Sequence, residues 1–106
     1  MKTDFVIDGF KLGQGKTFII AEMSCNHNQD FDQAIKIIHE AKRVGANAIK
    51  LQTYTPDTMT LNCDNPHFQI KSGTIWDGIT LHQLYQKAYT PWEWHQALFD
   101  EAKKIG

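Results

Sequence analysis

The sequence predicts an α/β fold built on a right-handed βαβ unit, and three observations predict it. A nearly continuous apolar run, Thr17 to Glu22, has the look of a strand covered on both faces. Apolar residues then recur at spacings of 3 and 4 through Phe31, Ala34, Ile35, Ile38 and Ala41, which makes one face of an amphipathic helix. A second strand-like run, Ala46 to Gln52, follows at once. Strand, helix and strand in that order place the two strands parallel and side by side, with a right-handed crossover.

The elements follow in order along the chain. Phe5-Val6-Ile7-Asp8 is a short apolar run, and Gly13-Gln14-Gly15 supplies a turn before the first main strand. Residues 1–16 are therefore expected to form a strand or β-hairpin, and residues 17–106 the βα units proper. Ser24 to Gln29 is polar and irregular. Asp30 is placed to cap the helix that follows, with Gln33 where a capping box wants Glu or Gln. Lys42 and Arg43 suit the negative end of its dipole, and Gly45 is a stop signal. Thr53 to Gly78 is a long connection rich in Pro, Asp, Asn and Gly. A structureless stretch of that length is usually functional. Two helices close the chain. Thr80 with Gln83 makes one capping box, with Leu81, Leu84, Tyr85 and Ala88 on one side. Thr90-Pro91-Trp92-Glu93 places Thr at the cap and Pro at the first helical position, and Trp94, Leu98 and Ile105 supply the apolar face.

Composition narrows the function classes. The chain has 106 residues, 42% hydrophobic and 22% charged, with a net charge of -1, a globular balance for one ordinary domain. No basic stripe points to nucleic acid, and no basic amphipathic helix points to a membrane surface. The longest apolar run, Phe18 to Ala21, is far too short to span a bilayer. Met1-Lys2-Thr3-Asp4 leads into no signal-peptide apolar region. Cys25 and Cys63 lie far apart and form no framework, which fits a reducing, cytoplasmic setting. The chain stops at Lys104-Ile105-Gly106, which reads as the end of a helix that should feed another strand. A truncated parent is therefore expected.

The candidate site comes from strand geometry. Ligands of parallel α/β sheets bind at the carboxyl ends of the strands. Glu22 ends the first main strand, and Lys50 and Gln52 stand near the end of the second. Side chains alternate along a strand, so Lys50 and Gln52 share a face while Ile49 and Leu51 point to the helices. A lysine on the inner face needs an anionic partner. The plain alternative is a structural Lys50–Glu22 ion pair, and the polar Asn26-His27-Asn28 loop at the same rim tips the balance to function. No pair of the five histidines has metal-ligand spacing, and only His27 is at the rim. His39, His82 and His95 read as surface or half-buried helix residues. Cys25 has no identifiable base beside it. Trp76, Trp92 and Trp94 read as packing anchors. Gly13 and Gly15 lack the third glycine of a nucleotide loop and precede a strand.

Ile19-Ile20-Ala21-Glu22-Met23-Ser24-Cys25-Asn26-His27-Asn28 resembles the IIAE-x-x-x-NH segment of the sialic and pseudaminic acid synthase family. Gly45-Ala46-Asn47-Ala48-Ile49-Lys50-Leu51-Gln52-Thr53 resembles that family's GA-D-IK-QT strand. Tyr54 to Leu61 and the segment from Trp76 to His95 are closer to its pseudaminic branch than to its N-acetylneuraminate branch. Gln29 departs from the pattern, where glycine is common. The resemblance implies the start of a TIM (β/α)8 barrel. It implies condensation of phosphoenolpyruvate with an N-acetylated deoxy sugar, 2,4-diacetamido-2,4,6-trideoxy-L-altrose, and release of phosphate. Lys50 would then meet the phosphoenolpyruvate carboxylate, Glu22 would serve proton transfer or sugar positioning, and Gln52, with Asn26 and His27, would bind substrate. A divalent metal, Mn or Mg, is implied, with ligands beyond Gly106, as are the phosphate-binding residues, a C-terminal domain and a homodimer. An N-acetylneuraminate or legionaminic acid synthase, an aldolase using Lys50 as a Schiff base, and a small non-enzymatic α/β binding domain remain the alternatives.

Overall fold

A parallel two-stranded sheet lies at the centre of the computed structural model, which describes residues 5–106. Strand β3 (Ile20–Glu22) pairs with β4 (Ala48–Lys50) in the register Ile20↔Ala48, Ala21↔Ile49 and Glu22↔Lys50. Helix α1 (Phe31–Arg43) connects them, as the apolar spacing predicts. Asp30 caps α1 by accepting from Gln33 N at 3.0 Å, and Gly45 stops it at φ +90, where only glycine is unstrained.

The hairpin precedes this unit, within the first sixteen residues. β1 (Val6–Ile7) and β2 (Phe10–Lys11) are antiparallel about Asp8-Gly9, both with positive φ. Two left-handed residues make a tight turn whose twist matches the strands, and Asp-Gly is a preferred pair for it. Gly13 and Gly15, with φ of 77 and 84, make the turn expected before the first main strand. Residues 1–4 of the expected 1–16 hairpin region lie outside the described residues.

Both main strands are shorter than their apolar runs. Asn47 Oδ1 takes the Ile19 amide at 2.9 Å, and Gln52 O takes the Thr90 amide at 3.1 Å, so the ladder gives way to other partners at each end. Nor is the sheet covered on both faces. Ile19 and Ile20 remain 53% and 52% exposed, because α1 and α4 (His95–Ile105) pack together on the Ile49 and Leu51 side. That side holds the core of Met23, Ala34, Ile38 and Leu98, with Phe31, Trp94, Ala102 and Ile105 against it. The result is open: the Cα radius of gyration is 17.3 Å, where a compact domain of this length has about 13 Å. Among the described residues the strands form two separate pairs, and no barrel is closed.

The long connection is not structureless. It folds into α2 (Pro56–Met59), a 3-10 turn at Pro66–Phe68, and an isolated bridge between Gln69 and Thr80. Asp77 accepts from the amides of Ser72, Gly73 and Thr74, which knots its last part. These bonds hold the Asp77 carboxyl below the usual carboxylate range, the Thr74 amide contributing most.

Helix α3 (Leu81–Ala88) starts on the reciprocal Thr80–Gln83 capping box. Its buried face includes His82, only 5% exposed, deeper than the surface or half-buried position expected of it. The ring is admitted because Nε2 bonds Asp57 Oδ1 at 2.8 Å, which fastens α2 to α3. Thr90 does not cap the last helix either. Trp92–Trp94 form a 3-10 turn and α4 begins at His95, while Thr90 is fully buried with its hydroxyl 3.4 Å from His27 Nε2.

Candidate active site

The parallel register sets Glu22 beside Lys50 at the carboxyl ends of the two strands. Lys50 Nζ donates to Glu22 Oε1 at 3.1 Å. Both side chains are more than half exposed, on the face turned away from the helices. The alternation read from sequence holds there: Ile49 and Leu51 pack on the core, and Lys50 is on the open side. An exposed cation beside a carboxylate is free to take an anionic ligand without first opening a buried pair.

The turn after β3 is built around His27. The ring is 0% exposed, so it lies in the interior instead of open at the rim. Nδ1 accepts the Gln29 amide at 2.9 Å, so Nδ1 carries no proton and Nε2–H faces Thr90 Oγ1. Trp94 stands edge-on to it at 5.5 Å between centroids. Burial lowers the His27 pKa, in keeping with this neutral tautomer. Ser24, Asn28 and Gln29 adopt φ of 52, 49 and 55, left-handed values that glycine takes at no cost. This explains the Gln29 departure: the position wants positive φ, and Gln29 accepts the strain while its amide bonds His27.

The same turn leaves Asn26 exposed, with Nδ2 donating to Met23 O at 2.9 Å and its side-chain oxygen free of partners among the described residues. Gln52 is half-buried at the end of β4. Tyr54 packs edge-on to Tyr85 at 5.6 Å, and its hydroxyl pKa is raised by burial first and then by Cys25 and Tyr85. Two residues that sequence reasoning passed over also stand here. Thr53 Oγ1 is 2.6 Å from His95 Nε2, and both line an open groove of about 440 Å3 that takes in Lys50 and also Ile49, Leu51 and Phe99 from the helix side. Thr53 sits within a quoted motif, but nothing in sequence pairs it with a histidine in the last helix. Among the described residues no three His, Cys, Asp or Glu side chains stand together as a metal site, and no helix is long and apolar enough to cross a membrane.

Comparison with known proteins adds an independent observation. Residues 37–106 match the NeuB family. The chain is 52% identical over 91 residues to the pseudaminic acid synthase of Campylobacter jejuni, covering 86% of this chain and 26% of that protein. It is 53% identical over 87 residues to the pseudaminic acid synthase of Helicobacter pylori, covering 82% of this chain and 25% of that protein. The N,N'-diacetyllegionaminic acid synthase of Legionella pneumophila is 30% identical over 89 residues, covering 84% of this chain and 25% of that protein. The chain thus spans about a quarter of the length of these curated relatives.

Proposed function

The chain belongs to the NeuB family, and on that premise we propose that, in a protein of its relatives' length, it supplies the first βα units of a (β/α)8 barrel that makes pseudaminic acid. The reaction condenses phosphoenolpyruvate with 2,4-diacetamido-2,4,6-trideoxy-L-altrose and water and releases phosphate. The enol carbon attacks the open-chain aldehyde, water adds at C2 of the enolpyruvyl unit, and phosphate leaves by C–O cleavage. One observation carries the proposal. The Glu22–Lys50 pair stands exposed at the strand carboxyl ends of a chain about half identical to two pseudaminic acid synthases.

Lys50 meets the phosphoenolpyruvate carboxylate, exchanging Glu22 for a second anion. Glu22, released from that bond, takes or gives a proton at the reacting centre or positions the sugar. Gln52 and the exposed Asn26 hydrogen-bond the sugar's hydroxyl and acetamido groups. His27, buried and neutral, serves substrate binding by holding the turn that presents Asn26. The described residues offer no donor set for a divalent metal, so no step here runs through one. An aldolase reading, with Lys50 forming an imine, is weaker because the relatives that the chain matches are named as synthases.

The test is to incubate the protein at its relatives' length with phosphoenolpyruvate and each of three sugars. These are the diacetamido altrose, the corresponding precursor of N,N'-diacetyllegionaminic acid, and N-acetylmannosamine. Phosphate release and product mass are followed. Turnover confined to the first sugar is expected. Preference for the second would move the protein to the legionaminic branch, which the Legionella relative represents. Borohydride trapping of pyruvate on Lys50 would replace the mechanism altogether.

A further inference from the structure

His95 fixes the polarity of Thr53. Its Nδ1 lies 3.2 Å from two backbone carbonyls, Pro91 O and Trp92 O. Carbonyl oxygens only accept, so Nδ1 carries a ring proton, and whenever the ring is neutral Nε2 is an acceptor. The atom 2.6 Å from Nε2 is Thr53 Oγ1. A threonine hydroxyl has one hydrogen, and here it is spent on His95. What Thr53 can offer any other molecule is a lone pair. Thr53 is exposed, bonds no other group among the described residues, and lines the groove that also holds Lys50.

We propose that His95 positions Thr53 as an acceptor-only hydroxyl on the Lys50 groove, where Thr53 selects a sugar O–H or N–H that donates into its oxygen. The inference rests on the proposed synthase reading and adds to it a specificity-determining residue and its positioning partner. The Thr53–His95 bond is also cooperative. A ligand donating to Oγ1 strengthens the bond from Oγ1 to Nε2, so both arms of the chain tighten together. A site that can only accept discriminates against an analogue whose donor is masked, because the masked group brings two facing lone pairs and no hydrogen. A merely structural latch between the strand end and α4 would show no such preference.

The experiment uses the protein at its relatives' length, unaltered and as Thr53→Val, Thr53→Ser and His95→Gln. Steady-state constants are measured for the accepted sugar and for a set of its mono-O-methyl and N-methyl analogues. In the unaltered protein one analogue is expected to lose about tenfold or more in kcat/KM relative to the others, the usual scale for one hydrogen bond to a site that cannot adapt. Thr53→Val should raise KM for the parent sugar about tenfold with kcat within about threefold, and should abolish the penalty for that one analogue. Thr53→Ser should restore both, and His95→Gln should weaken the penalty without abolishing it. In spectra of 15N-labelled histidine, the His95 Nε2 resonance should move when the sugar binds, and Thr53→Val should remove that movement. An unchanged analogue penalty in Thr53→Val, with normal turnover by the unaltered protein, would overturn this inference alone. Absence of turnover by the unaltered protein with every sugar would overturn the proposed function and this inference with it.

Discussion

Ile49 and Lys50 are neighbours in one short strand, and replacing each by alanine should give opposite results. Lys50 Nζ is 3.1 Å from Glu22 Oε1, with side chains 62% and 60% exposed. Unit charges about 4 Å apart in water attract by about 1 kcal/mol, and ordering two long side chains offsets much of that. Lys50→Ala should therefore cost less than about 1 kcal/mol, a shift of a few degrees in Tm. Its effect on turnover should be about a hundredfold or more, the scale for removing a positioned charge from a reacting centre. Ile49 points the other way, packed against the cluster of Met23, Ala34, Ile38 and Leu98. It is half-buried and borders open grooves, so Ile49→Ala should fall at the low end of core truncations, about 2 kcal/mol. Turnover per folded molecule should stay within about threefold. Urea unfolding followed by circular dichroism gives the first quantity, and phosphate release gives the second. If Lys50→Ala proved the more destabilising change and its activity loss merely followed the unfolded fraction, the ion pair would be structural and the site assignment would fail.

Leu98 is among the most deeply buried apolar side chains, so Leu98→Ala should cost about 2–4 kcal/mol in the same urea assay, and a loss under 1 would mean that α4 is not held by this core. Because burial lowers the His27 pKa below 6.5, the unfolded chain binds its proton first. Stability should therefore be full above pH 6.5 and fall as pH drops below it, by at most about 1.4 kcal/mol per pH unit from this one residue. His27→Gln should flatten that slope, and an unchanged slope would place the titration elsewhere. Asp57→Ala should leave buried His82 without its partner at a cost of about 1–3 kcal/mol, with Asp57→Asn recovering most of it in thermal unfolding. Asp77→Ala should raise hydrogen exchange at the Ser72, Gly73 and Thr74 amides specifically, and equal protection in the variant would show that the loop is held by something else.

Local signals were legible where the residues that make the structure are close in sequence. The α1 cap at Asp30, the Gly45 stop and the Thr80–Gln83 box all form within four residues of chain and appear as read, except that the Asp30 amide goes to His27 O and Gln33 completes no box. The βα order and the outward Lys50 follow from periodicity and alternation, which are local too. Distant partners defeated the rest. Thr90-Pro91-Trp92-Glu93 meets every local rule for a helix start. The Thr90 hydroxyl is instead turned to His27, 63 residues away, and its amide to Gln52, so the helix starts later through a 3-10 turn. His82 reads as a surface or half-buried residue because its partner, Asp57, lies 25 residues earlier. Thr53 and His95 were passed over for the same reason, with 42 residues between them.

Asn26-His27-Asn28 marks the boundary between the two cases. Three polar residues in a row after a strand read as a rim loop, and the loop is there. Composition gives no means of telling which of the three turns inward. Met23 is committed to the core, and the left-handed Ser24 reverses the chain directly after it. With that reversal His27 falls beneath Trp94, and its flanking asparagines fall outside. An imidazole suits the inner place better than an amide would. Its Nδ1 satisfies the Gln29 amide, Nε2–H faces the Thr90 oxygen, and its ring face and edge still pack as an apolar surface. His27 is thereby tied at once to the turn that displays Asn26, through Gln29, and to the α3–α4 junction that receives Gln52, through Thr90. Asn26 and Gln52, the two residues proposed to bind the sugar, are thus held in relation to each other by a third that is itself fully buried. Changing His27 should consequently disturb sugar binding through Asn26 and Gln52 together.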